Sequence, residues 1–126
     1  PMACVAALES IKVIEEENLN EHAAHLGELF LSRMEKIKES HPIVGDVRGK
    51  GCLLAMEIVR DRETKEPFAE AGQMIYQKAF EKGLAWVPSG HILRLSPPMI
   101  LDDAVAEKGM DIIEEAVAET EKYFGY

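Results

Sequence analysis

The sequence predicts an α+β fold, in which a small, mainly antiparallel sheet of three to four strands carries helices on one face. Short runs with strand-like alternation are grouped in the middle of the chain, and long segments with helical periodicity lie at both ends. The strand-like runs place apolar residues on one face only. We therefore expect the element order α-α-β-β-α-β-β-α and an outer sheet face left for a partner outside the chain.

Two helices are predicted at the N-terminal end. Residues 2–16 are rich in small residues, and residues 18–40 carry the clearest apolar stripe, with spacings of three and four residues. Pro42 ends the second helix because the residue before a proline is disfavoured in helical geometry. The stripe consists of Leu19, Ala23, Leu26, Phe30, Met34 and Ile37.

Two further helices are predicted later in the chain. Residues 68–82 form a helix that Gly83 caps, since glycine readily adopts the left-handed conformation at a helix end. Residues 102–123 form the last helix, with Asp102 as its N-cap. The apolar stripe of this last helix is predicted to contain Val105, Ile112, Ile113, Ala116, Val117 and Phe124.

The strands are predicted between these helices. Residues 45–51 indicate a glycine-rich strand with a bulge, and residues 52–59 indicate a regular strand. Residues 84–87 and 92–96 are also predicted as strands, joined by a turn at residues 88–90. Pro97 and Pro98 end the last strand, because proline cannot donate a backbone hydrogen bond to a sheet.

The composition excludes several kinds of partner. The chain has 14 Lys and Arg against 23 Asp and Glu, a formal net charge of −9. Nucleic acids and anionic membranes attract basic surfaces, so we expect neither as a partner. No apolar run approaches the roughly 18 residues of a membrane-spanning helix. Cys4 and Cys52 form no CxxC pair, and we expect reduced thiols in a cytoplasmic protein, with a lone disulfide as the alternative.

Arg94 is the candidate functional residue. Alternation along its strand places Leu93 and Leu95 on one face, and Ile92, Arg94 and Ser96 on the other. A guanidinium held on a rigid strand presents a planar, permanently charged fork that fits a carboxylate bidentately. The alternative is a structural ion pair between Arg94 and a surface carboxylate.

Two other features of the sheet invite a functional interpretation. Glu57 lies in the middle of a strand and is expected to pair across the sheet with Arg48 or Arg94, which favours a structural role. Residues 45–51 are rich in glycine, but a Walker loop would need Gly at Val44 and Ser or Thr at the last position. A bulged strand close to another backbone is the simpler interpretation.

Metal and nucleophile sites find little support in the sequence. His22 and His25 lie at i, i+3 on one helix and could share a metal with Glu21 or Glu28, although solvated acidic helices often carry such pairs by chance. No serine lies in a nucleophile elbow, so no catalytic triad is indicated. We assign no catalytic, cofactor-binding or metal-binding residue in this chain.

Five stretches together resemble the class-III (subgroup II) aminotransferases, the pyridoxal-phosphate enzymes of fold type I. Each motif alone is weak, but all five occur in the family's order and at family-like spacing, and the 4-aminobutyrate aminotransferase-like branch is the most similar. The five stretches are residues 1–19, 45–51, 56–59, 61–67 and 93–98.

The resemblance implies a domain of a larger enzyme. It identifies residues 1–16 as a connecting helix from an N-terminal large domain that binds pyridoxal phosphate, and residues 17–126 as the C-terminal small domain. The chain begins at Pro1 without an initiator Met, which agrees with this interpretation. Leu101 departs from the family, which often has Ser or Thr there, and this departure concerns only the position of the helix cap.

The resemblance also implies an activity. The family moves an amino group from an amino acid or ω-amine to a 2-oxo acid, and the arginine matching Arg94 holds the substrate carboxylate. The family's Schiff-base lysine and phosphate-binding loops would lie before Pro1, so we expect this chain alone to bind no cofactor and to be inactive. The full-length enzyme is expected to be a homodimer or homotetramer. The alternative is a free-standing α+β module that binds a small carboxylic acid without catalysis.

Overall fold

The structure is a computed structural model that describes residues 1–87 and 90–126, and it confirms the α+β fold. The turn predicted at residues 88–90 falls largely on Pro88 and Ser89, which lie outside the described residues. The elements are α1 (Met2–Glu16), α2 (Leu19–Ser40), β1 (Val44–Lys50), β2 (Leu53–Ile58), α3 (Ala69–Glu81), β3 (Ile92–Leu95) and α4 (Asp103–Phe124).

The three strands form one antiparallel sheet in the order β1-β2-β3. The register of β1 shifts between Val44 and Asp46, so the predicted bulge lies at Gly45. The register of β2 places Ala55 opposite Arg94 of β3 and also opposite Arg48 of β1. Side chains of these three residues therefore form one row across the outer face of the sheet.

Helices α2 and α3 pack on the inner face of the sheet, as predicted, and α4 packs against these two helices. All six stripe residues of α2 are buried, and Asn18 adopts a left-handed conformation at the break before this helix. Gly83 has φ +92° just after α3, which confirms its capping position. The centre of the core contains Phe30, Met34, Met56, Phe68, Ile75, Leu93, Met110 and Ile113.

The prediction of a strand at residues 84–87 is wrong. The backbone N–H of Leu84 donates to the carbonyl of Ala79 at 2.9 Å, which continues the end of α3. Trp86 packs edge-on against Tyr76, with ring centroids 5.4 Å apart. The segment is thus held on α3, a cavity separates it from β3, and the sheet of the described residues has three strands.

Two helical details also differ from expectation. Val105 was predicted in the buried stripe of α4 but is 53% exposed, because it lies in the first turn of α4 at the rim of the cavity. Asp102 is the N-cap residue of α4, as predicted, but its side chain makes no capping hydrogen bond.

Helix α1 lies apart from the core. None of its residues is buried, and α2 is the one described element that it contacts. Its apolar side chains are exposed, Met2 to 86%, Val5 to 61% and Leu8 to 66%. No described helix combines the length and the apolar character needed to cross a membrane.

Candidate functional site

Arg94 occupies the outer face of β3, where alternation along the strand had placed it. Its neighbours Leu93 and Leu95 are 2% and 8% exposed and point into the core, whereas Arg94 itself is exposed. Its backbone position is fixed by the ladder to β2, opposite Ala55. The guanidinium makes no hydrogen bond or ion pair to any residue in the ranges 1–87 and 90–126. It therefore has donors available for an external anion.

Arg48, on the same outer face, is in the opposite situation. Its guanidinium Nη1 lies 2.5 Å from Oδ2 of Asp46 and 3.0 Å from Oε2 of Glu57. These hydrogen bonds, that to Asp46 first, raise the pKa of Arg48 above its usual value. Glu57 also lies 3.7 Å from Nε2 of His91. The structure thus pairs Glu57 with Arg48 rather than with Arg94, which supports the structural interpretation of this carboxylate.

The glycine-rich stretch is a strand and a tight turn, not a phosphate loop. Residues 45–51 form β1 and the start of its connection to β2, where Gly51 has φ +55°. A Cβ atom at Gly27 of α2 would lie 2.7 Å from Cα and N of Gly51. The stretch is therefore glycine-rich where two backbones approach each other closely.

The two helical histidines connect α2 to the first residue of α4 and to the segment before it. Nδ1 of His22 lies within hydrogen-bond distance of the carbonyl of Met99, and Nε2 of His25 lies 2.8 Å from Oδ2 of Asp103. Within the described ranges, no group of three or more His, Cys, Asp or Glu side chains could hold a metal ion. Each of the two histidines instead has a hydrogen-bond partner outside α2.

A cavity of about 450 Å³ opens beside Arg94. It lies between residues 84–87, the end of β3 and the N-terminal half of α4, and Arg94 is its one ionisable side chain among the described residues. Nε1 of Trp86, another lining residue, is buried and has no hydrogen-bond partner among the described residues. The apolar walls include Phe30, Leu84, Trp86, Leu95, Leu101 and Val105.

The cavity alone does not fit pyridoxal phosphate. That cofactor is held through its aldehyde by a lysine amine and through its phosphate by backbone N–H groups at a loop or helix start. No lysine is found in the described part of the cavity lining, and the two residues that line it directly after Ser96 are Pro97 and Pro98, which have no backbone N–H. The described part of the lining therefore offers one arginine and an apolar wall, and no lysine that could hold the cofactor aldehyde.

The cavity was not predicted from the sequence, although two of its lining residues are unusual for their positions in the chain. Gly109 lies in the interior of a predicted helix, where glycine is unfavourable and usually has a packing reason. Trp86 is the chain's single tryptophan, and it lies in a four-residue apolar run that does not pair as a strand. Neither signal predicts a cavity without knowledge of the tertiary packing.

The fold defines the class of protein to which the chain is similar. It superposes on an ω-transaminase from Pseudomonas jessenii, whose structure was solved in complex with PMP, with a TM-score of 0.89 and 34% identity. The superposition covers 94% of this chain and 27% of that one. The α+β unit is thus the C-terminal domain fold of a transaminase.

The family follows from the sequence match. The family profile Aminotransferase class-III matches residues 1–117, and the chain belongs to this family. An alanine/serine racemase of Pyrococcus horikoshii is 41% identical over 95% of the chain, which spans 26% of the racemase. A 4-aminobutyrate aminotransferase of Escherichia coli is 38% identical over 97% of the chain, which spans 29% of that enzyme. The chain therefore spans about a quarter of the length of the curated relatives it matches.

Proposed function

We propose that the chain is the C-terminal small domain of a pyridoxal-phosphate-dependent aminotransferase and that Arg94 holds the substrate carboxylate. In this proposal, residues 1–16 are the connecting helix from an N-terminal large domain, and residues 17–126 are the small domain. The family match and the fourfold greater length of the relatives support a domain over the alternative, a free-standing module that binds a carboxylic acid. The exposed apolar side chains of α1 agree with a helix that packs on a further domain.

The state of Arg94 is the observation that carries this proposal. Its guanidinium is exposed on a rigid strand and has no partner among the residues described, whereas Arg48 on the same face is neutralised by two carboxylates. The two arginines of this face therefore differ, since Arg48 has carboxylate partners and Arg94 has none among the described residues. A carboxylate that binds Arg94 bidentately gains two charge-assisted hydrogen bonds and a fixed orientation.

The cofactor and the assembly belong to the rest of the protein. Pyridoxal phosphate would supply the electron sink for reactions at the amino carbon, bound by residues of the large domain. This chain would orient the substrate through Arg94, and alone it would be inactive. We further propose a homodimer or homotetramer that acts on amino acids or ω-amines and 2-oxo acids. The free, unpaired thiols of Cys4 and Cys52 agree with a cytoplasmic location.

Amino acid racemisation is a second candidate function. The alanine/serine racemase matches the chain at 41% identity, slightly above the 4-aminobutyrate aminotransferase. Both reactions begin with an amino acid whose carboxylate must be held, so the role of Arg94 is the same in each. Incubation of the full-length protein with one L-amino acid separates them, since racemisation yields the D-isomer without a 2-oxo acid.

The experiment replaces Arg94 in the full-length, cofactor-loaded protein. Arg94→Gln removes the charge and the fork, and Arg94→Lys retains the charge but not the bidentate geometry. Arg60→Gln is the matched control, because Arg60 is an arginine of the loop after β2 that pairs with Glu66 and Glu70. Cofactor absorbance is followed with a carboxylate-bearing donor and with an amine that lacks a carboxylate.

We expect Arg94→Gln to lower kcat/KM for the carboxylate substrate by roughly 30- to 1000-fold, which corresponds to about 2–4 kcal/mol for two charge-assisted hydrogen bonds. Arg94→Lys should lower kcat/KM for the carboxylate substrate by a smaller factor, because it keeps the positive charge. The amine without a carboxylate should react at nearly the wild-type rate in all variants, and Arg60→Gln should match wild type with both substrates. Equal kinetics of Arg94→Gln and wild type with the carboxylate substrate would make Arg94 a structural strand residue.

A further inference from the structure

We propose that the cavity beside Arg94 binds the apolar chain of substrates whose carboxylate Arg94 holds, so that the protein prefers aliphatic amino and 2-oxo acids with long side chains. This inference rests on the proposed function, because Arg94 must be the carboxylate anchor. It adds a specificity site that lies within this chain.

The size and the chemistry of the cavity fit such a ligand. Its volume of about 450 Å³ lies in the range of small-molecule sites, which are mostly apolar with a few polar groups that fix orientation. Arg94 is the one charged side chain in the described lining. One cation beside an apolar space matches a molecule with one carboxylate and a hydrocarbon chain.

The edge of β3 that faces away from β2 connects the guanidinium to the cavity. Arg94 and Leu95 point to opposite faces of the sheet, yet both line the cavity, so the cavity extends around the edge of the strand. Among the described residues no strand pairs with β3 on this side, because residues 84–87 pack on α3. A ligand anchored at Arg94 can therefore extend its chain along the strand edge between residues 84–87 and α4.

Two lining residues indicate that the space is left for an occupant. Gly109 faces it from the N-terminal half of α4, where an added Cβ would meet, among the described residues, only Cδ1 of Leu84, at 3.9 Å. A larger residue would fit there and would favour the helix, yet the position is glycine. Nε1 of Trp86 is buried without an acceptor among the described residues, a state that is rare in complete sites.

The test compares chain-length profiles in the full-length holoenzyme. We would measure kcat/KM for linear 2-oxo acids from pyruvate to 2-oxooctanoate with a fixed amino donor. Gly109→Leu fills the cavity from α4, and Ala104→Leu adds the same side chain at an exposed position of α4 outside the cavity lining. Arg94→Gln is measured in parallel. Circular dichroism of each variant verifies folding.

We expect kcat/KM of wild type to rise about 3- to 4-fold for each added methylene that enters the cavity. Gly109→Leu should reduce the ratio of 2-oxooctanoate to pyruvate by more than 10-fold, and Ala104→Leu should leave both the ratio and the rates unchanged. The inference would be overturned if kcat/KM of wild type did not change with chain length, or if folded Gly109→Leu showed the same dependence on chain length as wild type. Either result is expected if another segment of the same protein fills the cavity. Loss of activity in Arg94→Gln with an unaltered slope in Gly109→Leu would refute this inference alone. Unchanged carboxylate kinetics in Arg94→Gln would refute the proposed function.

Discussion

The close approach of α2 to the turn after β1 predicts that Gly27→Ala destabilises the protein. A Cβ atom at Gly27 would lie 2.7 Å from N and Cα of Gly51 and 2.8 Å from its carbonyl oxygen. An ordinary tight contact is 3.4 Å, so the two backbones would have to separate by 3.4 − 2.7 = 0.7 Å. Gly51 has φ +55° in a tight turn, and the backbone there cannot move without disturbing the hairpin.

The magnitude is the balance of two opposing terms. Alanine favours the interior of a helix over glycine by about 1 kcal/mol. Overpacking of backbone against backbone costs about 1–3 kcal/mol, and the upper part of this range applies because no flexible side chain can move aside. We therefore expect a net loss of about 1–2 kcal/mol. Gly109→Ala is the matched control, since its Cβ would make only a contact of 3.9 Å with Leu84, and it should stabilise α4 by about 0.5–1 kcal/mol.

Urea denaturation of the purified chain, followed by far-UV circular dichroism, measures both variants. The free energies of unfolding of Gly109→Ala and Gly27→Ala should differ by about 1.5–3 kcal/mol at similar m-values. A Gly27→Ala protein as stable as Gly109→Ala would refute the reasoning, because it would mean that α2 does not approach the hairpin closely enough to exclude a methyl group.

Two further predictions concern the carboxylates of α4. Glu121 is 8% exposed and lies 2.6 Å from Nδ1 of His41. In urea denaturation, Glu121→Ala should lower the free energy of unfolding by about 2–3 kcal/mol, and Glu121→Gln by about half of that, because the amide oxygen still accepts a hydrogen bond. Equal losses in the two variants would show that this hydrogen bond is unimportant. Glu119 accepts hydrogen bonds from Lys78 and Lys82, which lower its pKa below the usual 4.5. Its contribution to stability is therefore complete well above pH 4.5 and is lost as the pH falls through the lower, folded pKa. Thermal unfolding should show Glu119→Gln to be less stable than wild type at pH 7, with the difference vanishing in acid, and a pH-independent difference would exclude the ion pair as its cause.

The sequence predicted the elements whose pattern is complete within one segment. The stripe of α2 repeats over more than five turns, and every one of its six members is buried. Residues 84–87 show the limit of such reasoning. A four-residue apolar run is compatible with a strand, but pairing also needs a neighbour at the right distance, and Trp86 is held on Tyr76 of α3 instead.

The candidate site shows the same difference between patterns within one segment, which the sequence predicts, and contacts between segments, which it does not. Alternation along β3 depends only on consecutive residues, so it placed Arg94 on the outer face correctly. The partner of Glu57 depends on the register between strands, which the bulge at Gly45 shifts by one residue. That shift places Asp46 opposite Glu57, and both carboxylates then hold Arg48. The register places both Arg48 and Arg94 opposite Ala55, so each arginine lies diagonal to Glu57, and local sequence patterns could not decide between them.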